Sequence, residues 1–234
     1  MSTVRESEPI RPVPEQFVYA TLPFMPPAVA TMVQLQLLTG CRPGEVCIMR
    51  TCDLETAGRV WIYRPQNHKT AHFGHERTIF LGPRAQELLK PWLRTELESF
   101  LFSPLKSEEA RNARRKENRK SPMTPSQNRR CRTRNRSRPW TDHYTSQSFA
   151  RAIARACEKA ERAAHTESPS IPKDQTLVPT WTPNQLRHTR ATQLRREHGL
   201  ELTKLVLGHR TIETSLIYAE RDLEAASAVM AKIG

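Results

Sequence analysis

No stretch of this sequence approaches the roughly 18 continuous apolar residues that a membrane-spanning helix needs. The first residues, Met-Ser-Thr-Val-Arg-Glu-Ser-Glu, lack the apolar core of a secretory signal, so a cytoplasmic location is expected. Glycine is scarce, with 8 residues, and nowhere do glycines cluster into a phosphate-cradling loop. The cysteines are few and odd in number: Cys41, Cys47, Cys52, Cys131 and Cys157 fit neither a disulfide framework nor a CxxC zinc site. Buried or idle thiols are the expectation. His68, His72 and His75 follow Cys52 without any standard ligand spacing, so no metal and no cofactor is expected. Acidic residues are outnumbered, 24 against 37 Lys and Arg, and the net charge of +13 points to an acidic polymer as partner.

That charge is not spread evenly. Residues 106 to 138 hold 13 Lys or Arg and 3 Glu, a net of +10 of the whole chain's +13. Large apolar residues are almost absent there, so a disordered basic insertion is expected. Arg129, Arg130, Arg132, Arg134, Arg136 and Arg138 are its densest run and the candidate DNA-binding residues. They would neutralise phosphates without reading sequence. The tract lacks the interleaved apolar face of an interfacial helix, which argues against a membrane-surface role.

A 234-residue chain can bury a substantial core. Residues 1 to 25 are rich in proline, weakly periodic, and read as a linker or arm. From Pro26 to Leu38 apolar residues recur at helical spacing, and Thr39-Gly40 ends that helix. Pro43 opens a short second one. Val60–Arg64 and Arg77–Leu81 read as strands of a hairpin, with Lys69 between them and Phe100–Phe102 as a third short strand. Further helices are expected from Gly82-Pro83 to Leu93, from Thr145 to Ala164, from Thr182 to His198 with Gly199 as the stop, and from Leu202 to Leu207. Thr211 can cap a helix carrying Tyr218, and residues 222 to 233 form a last amphipathic segment. The fold class is α+β, mainly α, with a small antiparallel sheet.

The last fifty residues concentrate the chemistry: Asn184-Gln-Leu-Arg187-His188, then Leu-Gly-His209, then Tyr218. Arginine clamps phosphate oxygens with parallel hydrogen bonds, histidine exchanges protons near neutral pH, and tyrosine can be a covalent nucleophile. Arg42 is a second candidate clamp, aimed outward from a helix-to-helix turn with Glu45 in range to orient it. Residues 184, 187 and 188 share one helix face.

Read together, the ordered elements Leu-Thr-Gly-x-Arg42-x-Gly-Glu45, a hairpin lysine, Leu-Arg187-His188-Thr-x-Ala-Thr, Leu-Gly-His209 and Tyr218 resemble the tyrosine recombinases, also called phage integrases. The wording Pro-Asn-Gln-Leu-Arg-His and Tyr-Ala-Glu-Arg-Asp is similar to integrases of planctomycete-type bacteria. The resemblance covers a catalytic domain of residues 26–234. It implies a site-specific DNA recombinase or integrase that works without metal or ATP. Tyr218 would be the nucleophile forming a 3′-phosphotyrosyl link, and Arg42 and Arg187 the phosphate clamp. Lys69 would protonate the leaving 5′-oxygen, and His209 would support phosphate and nucleophile. Glu45 would stand behind the first arginine, with His188 as a packing and hydrogen-bonding residue. The implied partners are double-stranded DNA and further copies of the chain, a tetramer on two DNA sites joined through residues 222–233. The alternative is a non-catalytic DNA-binding or regulatory remnant.

Two departures from the family pattern stand out. Asn184 occupies a position where many relatives carry histidine, and an amide cannot act as a base near neutral pH. The N-terminal core-binding domain that clamps the far side of the DNA is expected to be absent, because only about 25 residues precede the catalytic domain.

Overall fold

The computed structural model describes residues 10–66, 77–122, 124–126, 141–172 and 174–208. Its centre is the helix α2, Pro27–Thr39, which buries Val29, Met32, Val33 and Leu35. Apolar residues ring this helix on all sides, so it is a core helix rather than a surface one. Pro27 starts it, where a missing N–H costs nothing. Gly40 ends it in the left-handed conformation, φ 66, with its N–H on Gln36 O at 2.8 Å. The short α3, Pro43–Cys47, follows at once.

Three short antiparallel strands come next, in the order β1 (Leu54–Glu55), β2 (Trp61–Tyr63) and β3 (Ile79–Leu81). Tyr63 faces Ile79 and Trp61 faces Leu81, so the buried register of β2 meets that of β3. The third strand is therefore Leu54–Glu55 and not Phe100–Phe102, where Phe100 makes only an isolated bridge to Arg50. α4 (Pro83–Leu89) closes through a 3-10 turn, Lys90–Trp92. Next comes α5, Pro104–Glu117. The expected disorder from residue 106 does not hold for this part. Alanine, arginine, lysine and glutamate are good helix formers, and the buried Pro104 anchors the first turn to the protein. α6 (Ser146–Glu167) places Phe149, Ile153 and Cys157 in the core, one turn apart. Its first turn is capped reciprocally, Ser148 N–H on Thr145 Oγ1 at 3.1 Å and Thr145 N–H on Ser148 Oγ at 2.9 Å.

The long α7, Pro183–Leu207, packs most extensively against α2. It is two helices joined at Gly199, whose φ of 80 and ψ of 178 break the ladder where the sequence marks a stop. The N-terminal segment also departs from the expectation. Within the expected arm, α1 (Glu15–Thr21) is helical, and Val13, Val18 and Thr21 are buried. The residues just before it are strapped to α7. Gln185 Nε2 donates to Arg11 O at 3.1 Å. Val13 N–H donates to Thr189 Oγ1 at 3.0 Å, which donates back to Val13 O at 2.8 Å. Gln193 donates to the Glu15 carboxylate one turn further on.

Candidate active site

Arg42 leaves the α2–α3 turn, and that turn is held from three sides. Gln36 Nε2 donates to Cys41 O at 2.9 Å. Thr39 Oγ1 accepts from Cys41 N–H at 3.3 Å. Below it, Tyr63 Oη donates to Glu45 O at 2.7 Å. A left-handed glycine and three buried side chains thus aim the Arg42 backbone, whose side chain stays 27% exposed. Glu45 takes Arg42 N–H on one carboxylate oxygen at 2.7 Å and Arg42 Nη1 on the other at 2.8 Å. The acidic residue of the sequence pattern thus holds the arginine at its backbone and at its guanidinium.

A second arginine shares that carboxylate. Arg77, 5% exposed, directs Nε to Glu45 Oε1 at 3.3 Å. Burial alone would raise the Glu45 pKa. The Arg77 charge, the Arg42 N–H and the Arg42 charge outweigh it and hold the carboxyl below its usual range. Sequence reasoning marks Arg77 only as the start of a strand. The missed signal lies in the alternation: residues 77, 79 and 81 share one face, and Ile79 and Leu81 are buried. An arginine in that register needs a buried partner.

Arg187 comes from the second turn of α7 and is also buried. Its Nη1 donates to Gly40 O at 2.6 Å and its Nη2 to Leu207 O at 2.8 Å. The first bond lands two residues before Arg42, so two arginines far apart in sequence converge on one turn. Leu207 packs onto the same place, since a Cβ on Gly40 would run into Leu207 Cδ2. His188 is half-buried. Burial and then the Arg187 charge push its pKa down, which favours the neutral ring at neutral pH. Asn184 is exposed one turn before Arg187.

Of the expected site, the structure brings together Arg42, Glu45 and Arg187, with Asn184 and His188 on the same helix as Arg187. Lys69, His209 and Tyr218 lie outside the described residues, as do Arg129, Arg130, Arg132, Arg134, Arg136, Arg138 and residues 222–233. Among the described residues no group of three His, Cys, Asp or Glu forms a metal-type cluster. No described helix is long and apolar enough to cross a membrane. Cys41, Cys47 and Cys157 are buried free thiols, and burial pushes Cys41 and Cys47 up to about 12, too high for a reactive thiolate.

The fold matches structures of DNA recombinases. The XerH site-specific recombinase bound to difH substrate is 16% identical, with a TM-score of 0.52, over 98% of this chain and 57% of that one. XerA recombinase is 16% identical, with a TM-score of 0.57, over 98% of this chain and 66% of that one. The Tn1549 transposon integrase in complex with transposon right end DNA is 18% identical, with a TM-score of 0.55, over 97% and 67%. This chain thus spans less than two thirds of the XerH and XerA chains. No curated protein matches. The sequence profile of the phage integrase family matches residues 26–224, from the start of α2 past the Tyr218 position. The chain belongs to the phage integrase family.

Proposed function

We propose that this chain cleaves and rejoins DNA strands as a site-specific recombinase, through a covalent 3′-phosphotyrosyl intermediate on Tyr218. The observation that carries the reading is the convergence of Arg42 and Arg187 on the turn at Gly40. Two guanidinium groups fixed to one turn suit a phosphodiester whose negative charge grows as the transition state forms. In the reaction the Tyr218 hydroxyl oxygen attacks phosphorus, the bond from phosphorus to the 5′-oxygen breaks, and Lys69 gives that oxygen a proton. His209 supports the phosphate, and the tyrosyl proton leaves to water or His209 under the arginine field. Neither metal nor ATP is called for, because the arginines supply the charge and the phosphotyrosyl bond conserves the phosphodiester energy. Religation by a 5′-hydroxyl reverses the steps and frees Tyr218.

The partners of this reading are double-stranded DNA and three further copies of the chain, docked through residues 222–233. The Arg129–Arg138 run adds phosphate contacts without base readout. The test uses nicked suicide duplexes with a randomised centre, which trap a covalent adduct when the cut strand is lost. The adduct should form without magnesium and vanish in Tyr218→Phe. Duplex binding with no adduct would instead mark a non-catalytic DNA-binding protein.

A further inference from the structure

Hydrogen bonds from Arg42, Arg77 and Arg187 close into a ring. Arg42 pairs with Glu45, and Glu45 with Arg77. Arg77 Nη1 reaches Thr78 O at 3.2 Å and Val206 O at 3.4 Å, at the end of α7. The next carbonyl along, Leu207 O, is held by Arg187, whose other nitrogen returns to Gly40. Gly208 lies directly on Arg77: a Cβ there would collide with Nη1, and its φ of 63 already favours glycine. So the left-handed turn that precedes His209 in the sequence is seated on the Arg77 guanidinium.

We propose that Arg77 is a positioning residue that fixes the distance between the two arginines of the phosphate clamp. It does so by tying the Glu45 carboxylate behind Arg42 to the Val206–Gly208 turn that Arg187 holds from the other side. This rests on the recombinase reading above. A lysine in its place keeps a charge against Glu45 but has no fork with which to reach Val206 O at the same time. A counter-charge alone would be replaced by lysine; a spacer would not.

The experiment measures adduct formation on the randomised suicide duplexes at saturating DNA, for the unmodified chain, Arg77→Lys and Arg77→Gln. Amplitude reports the folded fraction and the rate constant reports the geometry. Arg77→Lys should keep duplex affinity and most of the amplitude, while its rate constant falls about tenfold; Arg77→Gln should lose about a hundredfold. Glu45 is faced by Arg42 and Arg77, with the Cys41 thiol and the Tyr63 phenol nearby in neutral form. Without Arg77 its carboxyl protonates at higher pH, so Arg77→Gln should gain an acid limb that Arg77→Gln combined with Glu45→Gln lacks. Unchanged rate constants in both variants overturn the proposal alone, as does a loss confined to amplitude. If Arg77→Gln does not fold, Arg77→Lys decides. An unmodified chain that forms no more adduct than Tyr218→Phe overturns the recombinase reading and this inference with it.

Discussion

The guanidinium groups of Arg77 and Arg187 lie inside the protein, whereas those of α5 stand in solvent along a helix that buries only Pro104. The same side chain meets opposite physics in the two places. Inside, Arg77 Nε and Nη1 and both terminal nitrogens of Arg187 are aimed at Glu45 or at particular carbonyls, and losing one leaves a buried acceptor without a donor. Outside, a pair such as Arg111 with the half-buried Glu108 lies at the surface, where salt screens it and its worth to stability is small. Buried arginines set geometry, and exposed ones add a field that falls with ionic strength.

Removing a buried arginine should therefore do the most damage. Arg187→Ala strips Gly40 O and Leu207 O of their donor. It should cost about 3 kcal/mol in denaturant melts and about a thousandfold in adduct rate. Glu45→Gln leaves two arginines against a neutral amide and should cost about 3 kcal/mol. The pH dependence of the unmodified chain follows from the same carboxylate. Its folded pKa is depressed, so its contribution is fully present above the unfolded glutamate value of about 4.3 and is lost as pH falls through the lower folded value. Acid titration of Glu45→Gln should lack that part of the loss.

Gly208→Ala should be milder, about 1–2 kcal/mol for a left-handed alanine, with a drop in adduct rate because the added methyl displaces Arg77. Asn184→His probes an exposed position next to the clamp. Stability should change by no more than about 0.5 kcal/mol, while the rate rises by about tenfold and gains a histidine pH dependence, because a base is restored. An unaltered rate across pH would remove the amide from the account. The smallest effect on cleavage belongs to α5. Neutralising Arg114, Arg115 and Lys116 together should leave the rate at saturation unchanged. It should lower the salt slope of duplex binding by about 0.9 for each DNA phosphate that the helix no longer neutralises. A matching fall in cleavage there would break the contrast between the two regions.

What the sequence revealed of this fold depended on how local the cause was. α2, the Gly40 stop and the Pro43 start were readable because a glycine and a proline act within their own turns. The Gly199 break was readable for the same reason. α1 was hidden because its seven residues have little helical stability alone and form against the core through Val13, Val18 and Thr21. β1 was hidden because two residues carry no alternation. The Arg42–Glu45 pair sits three residues apart and was legible. The roles of Gln36, Tyr63 and Arg77 were not, since their partners lie across the fold and only Arg77 left a trace, in its strand register. The ring itself closes through Val206 and Leu207, which composition marks only as apolar.

The strap on α7 has a mechanical consequence. Arg11, Val13 and Glu15 are stitched to Gln185, Thr189 and Gln193, three successive turns of the helix that carries Arg187. A pull along the chain at residue 10 would reach α7 through those stitches. A single helix joins that strap to Arg187 and to the Gly40 and Leu207 carbonyls it holds. Anything tethered there would feel, and be felt by, the arginine that holds the turn.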